Sequence, residues 1–358
     1  MKQIMDNSQF MESLSEISKS TGEDIEQVQK KAAQYLKELK TEQNPYASLI
    51  SSKVIERLMS LAYEETIDVN PKEIKRLSKI MRHSSVAFVM THKTYIDMFV
   101  LGIALLRHGL PWPMIFAGAN LSFPGLGQLG RKIGLIFIRR SFKDNLIYKA
   151  TLKHYIASLV DDRQHFMWAI EGTRSRTGKL VWPKMGILKY IADAEEESTQ
   201  EVKYVPVSVV YDLIPDVQDM TAEGRGKEKK SENLAWMMNY IRKLNKNYGK
   251  ISLRFGEPVE KNKEAVATIP NLESDVNNQK YTLPRFAFEL VHAINRITPV
   301  TTASLICTTL LSKFAVTKTQ ICNDVVSLME LIEDRKGCLL YTSPSPRDRT
   351  RSRMPSSA

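Results

Sequence analysis

Short apolar runs alternate with amphipathic segments from Ser84 onward, and this alternation constrains the fold more than any other feature of the sequence. The runs are rich in β-branched residues and have the length of buried strands, whereas the segments between them repeat apolar residues at helical spacing. The predicted strands are 86–90, 113–117, 135–138, 165–170, 204–210 and 251–255. Since strands that alternate with helices build α/β proteins, we expect a mixed, mostly parallel sheet flanked by helices.

The residues before this core, 1–83, are expected to form an N-terminal helical region. Residues 5–40 place apolar side chains at helical spacing among acids and lysines, 48–62 repeat the pattern, and Pro71 suits the first turn of a further helix. Within the core, the predicted helices are 97–107, 149–160, 183–194 and 233–247.

The end of the chain differs in texture from the rest. Residues 338–358 show no periodicity, are rich in Pro, Ser and Arg, and resemble a translated adapter sequence from library preparation. Their four arginines and one aspartate contribute +3 of the net charge of +11. We therefore expect a catalytic domain over 84–300, a truncated C-terminal helical region over 301–337 and a non-native tail over 338–358.

Net charge, cysteine spacing and the length of the apolar stretches limit the expected partners and the expected cellular compartment. A net charge of +11 favours anionic partners, such as phosphate esters, coenzyme A, acyl carrier protein, anionic lipid or nucleic acid. The three cysteines (Cys307, Cys322 and Cys338) have no short spacing, which argues against a disulfide framework and a zinc site. No apolar stretch is long enough to span a bilayer and the N-terminus lacks a secretory layout, so a cytoplasmic protein is expected.

The first predicted strand of the core leads into a histidine and an aspartate five positions apart, His92 and Asp97. On one ideal helix such residues point roughly 140° apart, so they meet only if His92 lies in the turn before the helix. Thr91 or Thr94 would then cap a helix from Asp97 to about Arg107, and the carboxylate would accept from the imidazole. That contact would fix the tautomer of a general base, although a structural histidine is the alternative for this pair alone.

Cations follow two further predicted strands. One strand ends in Arg139-Arg140, and a guanidinium binds phosphate through two parallel hydrogen bonds, although arginines also occur at strand ends without such a role. The loop 171–179 combines three cations, three hydroxyls and two glycines and is the strongest anion-binding signal in the chain. It differs from a P-loop because Leu180 stands where Ser or Thr would bind magnesium, which argues against a kinase or NTPase.

Other motifs are absent or incomplete. Residues 125–130 spell G-x-G-x-x-G, but the motif does not leave a strand directly and no acid follows about twenty residues later, so we expect a loop turn. The sequence has no G-x-S-x-G or H-E-x-x-H pattern. That absence argues against the usual hydrolases. We expect neither a metal nor another cofactor.

In their order and spelling, these segments resemble the glycerophospholipid acyltransferases, and specifically the glycerol-3-phosphate acyltransferase (PlsB-like) branch. The four matching blocks are His92-Lys93-Thr94-Tyr95-Ile96-Asp97, Phe137-Ile138-Arg139-Arg140, Glu171 to Gly178, and Val205-Pro206-Val207-Ser208. The resemblance runs from about residue 50 to residue 334 and implies the α/β fold of that family.

The resemblance also implies roles for individual residues. His92 would be the general base, Asp97 would orient it, and no covalent acyl-enzyme would form. Arg140 would hold the phosphate of the acceptor, with Arg139, Arg174 and Arg176 nearby. Glu171 would orient Arg174 or bind a glycerol hydroxyl, and Gly172 and Thr173 would let backbone donors approach the oxyanion. Ser175 and Pro206, from the third and fourth blocks, are also expected to line the substrate site.

The implied reaction transfers a fatty acyl group from acyl-coenzyme A or acyl carrier protein to the sn-1 hydroxyl of glycerol-3-phosphate. Its product would be lysophosphatidate, made at the cytoplasmic face of an anionic membrane in the first step of phospholipid synthesis. Lys227, Lys229, Lys230 and the region 143–153 are candidate membrane contacts. The alternatives are a dihydroxyacetone-phosphate or lysophosphatidate acceptor, or a noncatalytic protein that binds anionic membranes or RNA. We expect no nucleic-acid partner.

Overall fold

The computed structural model describes residues 2–122, 125–139, 141–142, 144–175, 180–226, 234–261, 278–312, 315–335, 337 and 339–340. The chain divides into two compact units, Met1–Asn295 and Arg296–Ala358.

Seven strands of the first unit form one sheet. They are β1 (Ile67–Val69), β2 (Ser85–Met90), β3 (Met114–Gly118), β4 (Leu135–Ile138), β5 (Phe166–Ala169), β6 (Val202–Tyr211) and β7 (Ile251–Phe255). Their order across the sheet is β1-β7-β6-β2-β5-β3-β4, and every neighbouring pair is parallel except β6 and β7. The predicted mixed, mostly parallel sheet is confirmed, and each predicted strand is present with ends within two residues of those expected.

Helices surround this sheet. Those that begin in the first unit are α1 (Lys2–Met5), α2 (Ser8–Thr21), α3 (Ile25–Leu39), α4 (Pro45–Met59), α5 (Pro71–His83), α6 (Asp97–Arg107), α7 (Leu126–Lys132), α8 (Leu146–Asp161), α9 (Met185–Glu197), α10 (Val217–Gly224), α11 (Leu234–Lys243) and α12 (Asn278–Ile297). A single turn of 3-10 helix covers Ala119–Leu121.

Strand β2 lies at the centre of the sheet, and all of its side chains are buried. Because successive side chains of a strand point to opposite faces, it contributes to two apolar layers. Val86, Phe88 and Met90 pack in one layer with residues of α5 and α6, and Ala87 and Val89 pack in the other with residues of α3, α8, α9 and α12. Full burial of one such large apolar side chain contributes about 1.5–3 kcal/mol, so β2 is held firmly from both sides.

The helical region predicted for residues 1–83 lies within the first unit. Asn7 and Asp24 cap α2 and α3 by accepting hydrogen bonds from backbone amides. Both helices contribute to an apolar cluster with Ile147 of α8. The region also supplies β1, which sequence analysis did not predict because three residues are too few to show a strand period.

The G-x-G-x-x-G segment is not the predicted loop turn, because Leu126–Lys132 form α7. Gly125 has a φ of 84°, which L side chains rarely adopt, and precedes the helix as its N-cap. A Cβ on Gly130 would lie 2.9 Å from the ring of Phe137 in β4. The glycine at position 130 therefore serves close packing of a helix on a strand.

Helix α4 buries polar side chains and exposes apolar ones, the reverse of an ordinary surface helix. Its serines Ser48 and Ser52 are buried, whereas Tyr46, Ile50 and Val54 are 78%, 65% and 56% exposed. Tyr46, Ile50 and Val54 thus form an exposed apolar stripe along α4.

The second unit contains α13 (Thr302–Ser312), α14 (Lys318–Asp334) and a parallel pair of two-residue strands, β8 (Val300–Thr301) and β9 (Leu339–Leu340). Thr317 and Gln320 form a capping box at the start of α14. Within the predicted non-native tail, β9 is described and residues 341–358 lie outside the described residues. Among the described helices of the whole chain, none is both long and apolar enough to cross a membrane.

Candidate active site

The carboxyl ends of β2, β5 and β6 lie at the same edge of the sheet, because these three neighbouring strands are parallel. The segments that follow them carry residues 91–97, 170–175 and 212–216. Ligands of α/β sheets bind outside the carboxyl ends of the strands. We therefore treat this edge as the candidate active site.

His92 and Asp97 are in direct contact, as predicted. The imidazole Nδ1 lies 2.9 Å from Oδ2 of Asp97, the carboxylate is 1% exposed and the imidazole is 21% exposed. A carboxylate accepts hydrogen bonds, so Nδ1 carries the proton and Nε2 has a free lone pair. In the part of the chain that the structure describes, Nε2 has no hydrogen-bond partner, and the ring can accept a proton from a substrate.

Three further donors hold the carboxylate of Asp97. The backbone amides of Lys93 and Thr94 donate to Oδ2 at 2.6 and 3.0 Å, and the hydroxyl of Tyr211 donates to Oδ1 at 2.7 Å. Burial, followed by the negative charge of Asp97, raises the pKa of Tyr211 well above its ordinary value, so its hydroxyl keeps the proton that it donates. Asp97 is thus fixed on both oxygens before any substrate binds.

Helix α6 begins at Asp97 and ends at Arg107, as expected, but the predicted threonine cap is wrong. The N-cap is Ile96, which has no side-chain hydrogen bond to the helix. Asp97 itself accepts the amides of the preceding turn, and the hydroxyl of Thr94 donates instead to Asp216.

The backbone of His92 is held by the segment that follows β5. Its amide donates to Oε2 of Glu171 at 3.1 Å, and its carbonyl accepts from the amide of Ser175 at 2.7 Å. Oε1 of Glu171 accepts from the amide of Val181 at 2.9 Å, so the buried carboxylate joins the two ends of its own loop to the turn after β2. Gly172 has a φ of 66° and donates its amide to Ala169 at the end of β5.

Glu171 does not orient Arg174, which differs from one of its predicted roles. Nη1 of Arg174 lies 2.9 Å from Asp216, Nη2 lies 3.8 Å from Glu223, and the guanidinium stacks on the ring of Tyr95 at 4.1 Å. The side chain of Arg174 is only 10% exposed. A second carboxylate, from the segment after β6, therefore takes the place that sequence analysis gave to Glu171.

Asp216 is the centre of a buried polar cluster. Its Oδ2 accepts from the hydroxyl of Thr94, its Oδ1 accepts from Arg174, and the hydroxyl of Tyr240 lies within reach of both Thr94 and Oδ2, at 2.8 and 3.3 Å. Burial raises the pKa of Asp216, whereas the hydrogen bond from Thr94 and the charge of Arg174 lower it. Burial also raises the pKa of Tyr240, which therefore donates as a neutral phenol.

Lys93 points back into the sheet. Its ammonium donates to the carbonyl of Val209 in β6 at 2.8 Å. Burial lowers the pKa of Lys93, against the opposing effect of Asp97 and Glu171.

Arg139, at the end of β4, has an ion-pair partner in the N-terminal helical region. Its guanidinium donates to both oxygens of Glu38 at 2.9 and 2.6 Å and stacks on Tyr35 and Tyr148 at 4.8 and 5.1 Å. The hydrogen bond with Glu38 raises the pKa of Arg139. Its side chain remains 39% exposed, unlike that of Arg174.

The other predicted site residues fall into two groups. Thr173 is exposed, and Pro206 is buried in β6 opposite Val89, where its carbonyl accepts from the amide of Gly256. Arg140 and Arg176 lie outside the described residues.

Tyr211, Asp216 and Tyr240 also belong to this site and were not predicted from the sequence. The period of β6 places Tyr211 on the same face as Val207 and Val209, so the face that it occupies could be predicted. Its hydrogen bond with Asp97 could not. Asp216 follows a short turn and Tyr240 lies mid-helix, and no local pattern distinguishes either from a surface residue.

Comparison with known proteins identifies two family regions. The family described as Acyltransferase matches residues 71–210, and the family described as Glycerol-3-phosphate acyltransferase C-terminal region matches residues 220–353. The first contains His92 and Asp97, and the second contains Tyr240.

Two relatives match most of the chain. The plsB1 acyltransferase of Mycobacterium tuberculosis is 34% identical over 310 residues, a match of 86% of this chain and 49% of the relative. The glycerol-3-phosphate acyltransferase of Haemophilus influenzae is 30% identical over 329 residues, a match of 88% of this chain and 40% of the relative. The chain thus spans less than half the length of either. A solved structure, the 1-acyl-sn-glycerophosphate acyltransferase PlsC of Thermotoga maritima, aligns with a TM-score of 0.37 and 17% identity over 82% of this chain and 97% of that one.

Proposed function

Because this chain belongs to the glycerol-3-phosphate acyltransferase branch of the acyltransferases, we propose that it acylates the sn-1 hydroxyl of glycerol-3-phosphate. The acyl group would come from a thioester of coenzyme A or of acyl carrier protein, and the product would be lysophosphatidate. The observation that carries the proposal is the contact between His92 and Asp97, 2.9 Å, with Nε2 of His92 left to face a substrate.

The chemistry follows from the tautomer of His92. Nε2 takes the proton of the acceptor hydroxyl while the hydroxyl oxygen attacks the thioester carbonyl, which forms a tetrahedral intermediate. When the carbon–sulfur bond breaks, the imidazolium returns the proton to the leaving thiolate. Asp97 stabilises the imidazolium between the two steps and keeps its own charge.

The acceptor phosphate is proposed to bind Arg140, with Arg139 and Arg176 as further candidates. Arg139 keeps a half-exposed pair with Glu38, and exposed pairs are worth only about 0.2–1 kcal/mol, so a phosphate could displace that carboxylate at low cost. Strand β4 lies three positions from β2 in the sheet, or ~14 Å at the usual strand spacing. The extended acceptor and an arginine side chain would together cover that distance.

An acylation assay tests the proposal directly. Purified protein is incubated with radiolabelled glycerol-3-phosphate, dihydroxyacetone phosphate or lysophosphatidate as acceptor, and with either thioester as donor. We expect glycerol-3-phosphate to be the preferred acceptor. His92→Ala should lower turnover by about 10² to 10⁴. Arg140→Ala should raise the acceptor KM about tenfold or more and leave the thioester KM unchanged.

The matched control is His108→Ala, at the other end of α6. His108 is exposed, and its Nδ1 lies 2.7 Å from the carbonyl of Ala104. We expect this variant to retain wild-type turnover. Wild-type turnover by His92→Ala would overturn the proposed function, and equal use of the acceptors would overturn the preference.

We further propose that the chain attaches peripherally to anionic membranes at their cytoplasmic face. The exposed apolar stripe of α4 supports this, because exposed Lys53 and Arg57 lie beside Ile50 and Val54 on the same helix. Apolar and basic side chains on one face of a helix suit the boundary between acyl chains and anionic headgroups. Of the contacts predicted from sequence, Lys153 pairs with Glu197, and Lys143, Lys227, Lys229 and Lys230 lie outside the described residues.

Flotation with phosphatidylglycerol-containing vesicles tests this attachment. We expect binding at low salt, weaker binding at high salt, and loss of binding in the double variant Ile50→Glu with Val54→Glu. Val326→Glu, at an exposed apolar position of α14, is the control and should bind like the wild type. Wild-type binding by the α4 variant would show that α4 is not the membrane contact. Absence of binding by the wild type at low salt would overturn the proposed attachment.

A further inference from the structure

The turn between His92 and Asp97 is held from one side by β6 and the residues that follow it. Thr94 donates its hydroxyl to Asp216 and shares a 2.8 Å hydrogen bond with the hydroxyl of Tyr240. The next residue, Tyr95, packs edge-on against Trp236, with ring centroids 4.4 Å apart. The side chains of the motif that are not catalytic thus have specific partners of their own.

Tyr95 links these partners to both charged groups of the site. Its ring lies edge-on to the imidazole of His92 at 6.4 Å, and the guanidinium of Arg174 lies over it at 4.1 Å. Arg174 is in turn held by Asp216 at 2.9 Å. Two adjacent residues of the turn, 94 and 95, are therefore connected to the single carboxylate of Asp216.

We propose that Asp216 is a positioning residue of this site: together with Arg174, it holds Thr94 and Tyr95 so that His92 keeps its alignment with Asp97. The inference rests on the proposed function for its catalytic consequence. Asp216 is 1% exposed and does not contact His92 or Asp97 by any hydrogen bond in the described part of the chain, so it acts through the turn.

The contacts of Arg174 give it a different role from the phosphate binding that the resemblance implied. Its charge is balanced by Asp216 and Glu223, and its side chain is 10% exposed. Release of Arg174 toward a phosphate would leave a carboxylate buried without its cation, which is strongly unfavourable. Arg174 is therefore a fixed part of the scaffold, and the acceptor phosphate is left to other arginines.

Asp216 also lies between the two family regions. The first region ends at residue 210, and the second begins at residue 220. Its partners come from both sides of this gap, Thr94 and Arg174 from the first region and Tyr240 from the second. The two regions thus build one site, and the acyltransferase region needs α10 and α11 to hold its catalytic turn.

The test compares Asp216→Asn with the matched control Asp219→Asn. Asp219 lies in α10, is half-exposed and pairs with Lys243, so its loss removes a charge without touching the turn. We expect Asp216→Asn to lower kcat roughly 10- to 100-fold, as for a misplaced catalytic group, with the KM for glycerol-3-phosphate unchanged. Asp219→Asn should leave both constants at their wild-type values. Unchanged kcat in Asp216→Asn would overturn the inference.

A spectroscopic measurement separates positioning from a general loss of folded protein. In histidine labelled with ¹⁵N, the ring nitrogen shifts report which nitrogen carries the proton. We expect His92 to hold its proton on Nδ1 in the wild type and to become a tautomer mixture in Asp216→Asn. This readout needs no substrate, so it decides the positioning role even if glycerol-3-phosphate is not acylated. Wild-type shifts in the variant would contradict the role.

A double-mutant cycle tests the link to Arg174. If Arg174 acts only through Asp216, Arg174→Met and Asp216→Asn together should cost no more in kcat than the worse single change. A raised acceptor KM with normal kcat in Arg174→Met would instead identify a phosphate ligand and overturn the reassignment. Thr94→Val, which removes only the hydroxyl, decides the case if Asp216→Asn does not fold, since an unchanged kcat and tautomer there would overturn the inference.

Discussion

Two histidines at opposite ends of neighbouring strands show how much the surroundings decide the chemistry of a residue. His92 follows the carboxyl end of β2, and His165 precedes the amino end of β5 beside it. The Nδ1 of His92 donates to the carboxylate of Asp97 at 2.9 Å, whereas the Nδ1 of His165 accepts from the amide of Val86 at 3.1 Å. The two rings therefore carry their protons on opposite nitrogens.

The difference follows from the charges within reach. His92 has the buried carboxylate of Asp97 beside its Nδ1, and we propose that its other nitrogen takes a proton from a substrate. Burial lowers the pKa of His165 to about 4, and no carboxylate in the described part of the chain opposes the effect. The first ring is the proposed general base, and the second is a neutral part of the sheet.

The largest effect on kcat should come from removal of the carboxylate of Asp97, which contacts His92. Asp97→Asn keeps the shape of the side chain, but an amide in that place no longer stabilises the imidazolium or selects the tautomer. We expect kcat to fall by about 10² or more, measured by the acylation assay. His165→Asn is the comparison, and it should keep wild-type kcat per folded molecule. Similar losses in both variants would break the comparison.

The lowered pKa of His165 should make the free energy of unfolding depend on pH in mild acid. An unfolded histidine binds a proton below pH 6.5, and folded His165 binds one only below about pH 4. Since the unfolded state binds more protons between these values, the stabilisation is present above pH 6.5 and is lost as the pH falls toward 4. The loss amounts to about 3 kcal/mol.

Urea titrations across this pH range, for the wild type and His165→Asn, measure the effect. Asparagine stays neutral and can still accept from the amide of Val86, so the variant should lose less stability on acidification. Parallel pH profiles for the two proteins would show that His165 does not titrate as the structure requires.

The smallest effect is expected from Tyr211→Phe, which removes one of the four donors to Asp97. An unpaired buried acceptor costs about 1–3 kcal/mol, seen as a lower free energy of unfolding. The kcat should fall less than in Asp97→Asn, because His92 and two backbone amides still hold Oδ2. A loss of kcat equal to that of Asp97→Asn would show that Oδ1 matters as much as Oδ2.

Features set by local periodicity could be predicted from the sequence. The strands and the bounds of α6 agree with expectation because β2 and α6 carry continuous apolar runs that only a buried strand and helix can accommodate. The contact of His92 with Asp97 was also accessible, since a spacing of five across a turn leaves few arrangements.

Features set by distant contacts could not be predicted. Thr94 was a plausible helix cap by local rules, and only a carboxylate 122 positions later explains its actual hydrogen bond. Arg139 and Arg174 looked alike in sequence, but one meets Glu38 near the surface and the other meets Asp216 in the interior. The partner of a charged side chain, and therefore its role, depends on chain segments that no local pattern connects.

The order of the strands has a consequence for how the protein acquires its site. The central strand β2 has β5 and β6 as neighbours, and the edge strand β1 pairs with β7, which is ~180 residues later in the chain. During synthesis, the turn with His92 leaves the ribosome long before Asp216 and Tyr240 exist to hold it. Because these contacts are non-local, the turn can gain its hydrogen bonds to Asp216 and Tyr240 only after α10 and α11 have been synthesised. An incomplete chain that ends after β6 would carry His92 and Asp97 and still lack Asp216, which we propose to hold their turn.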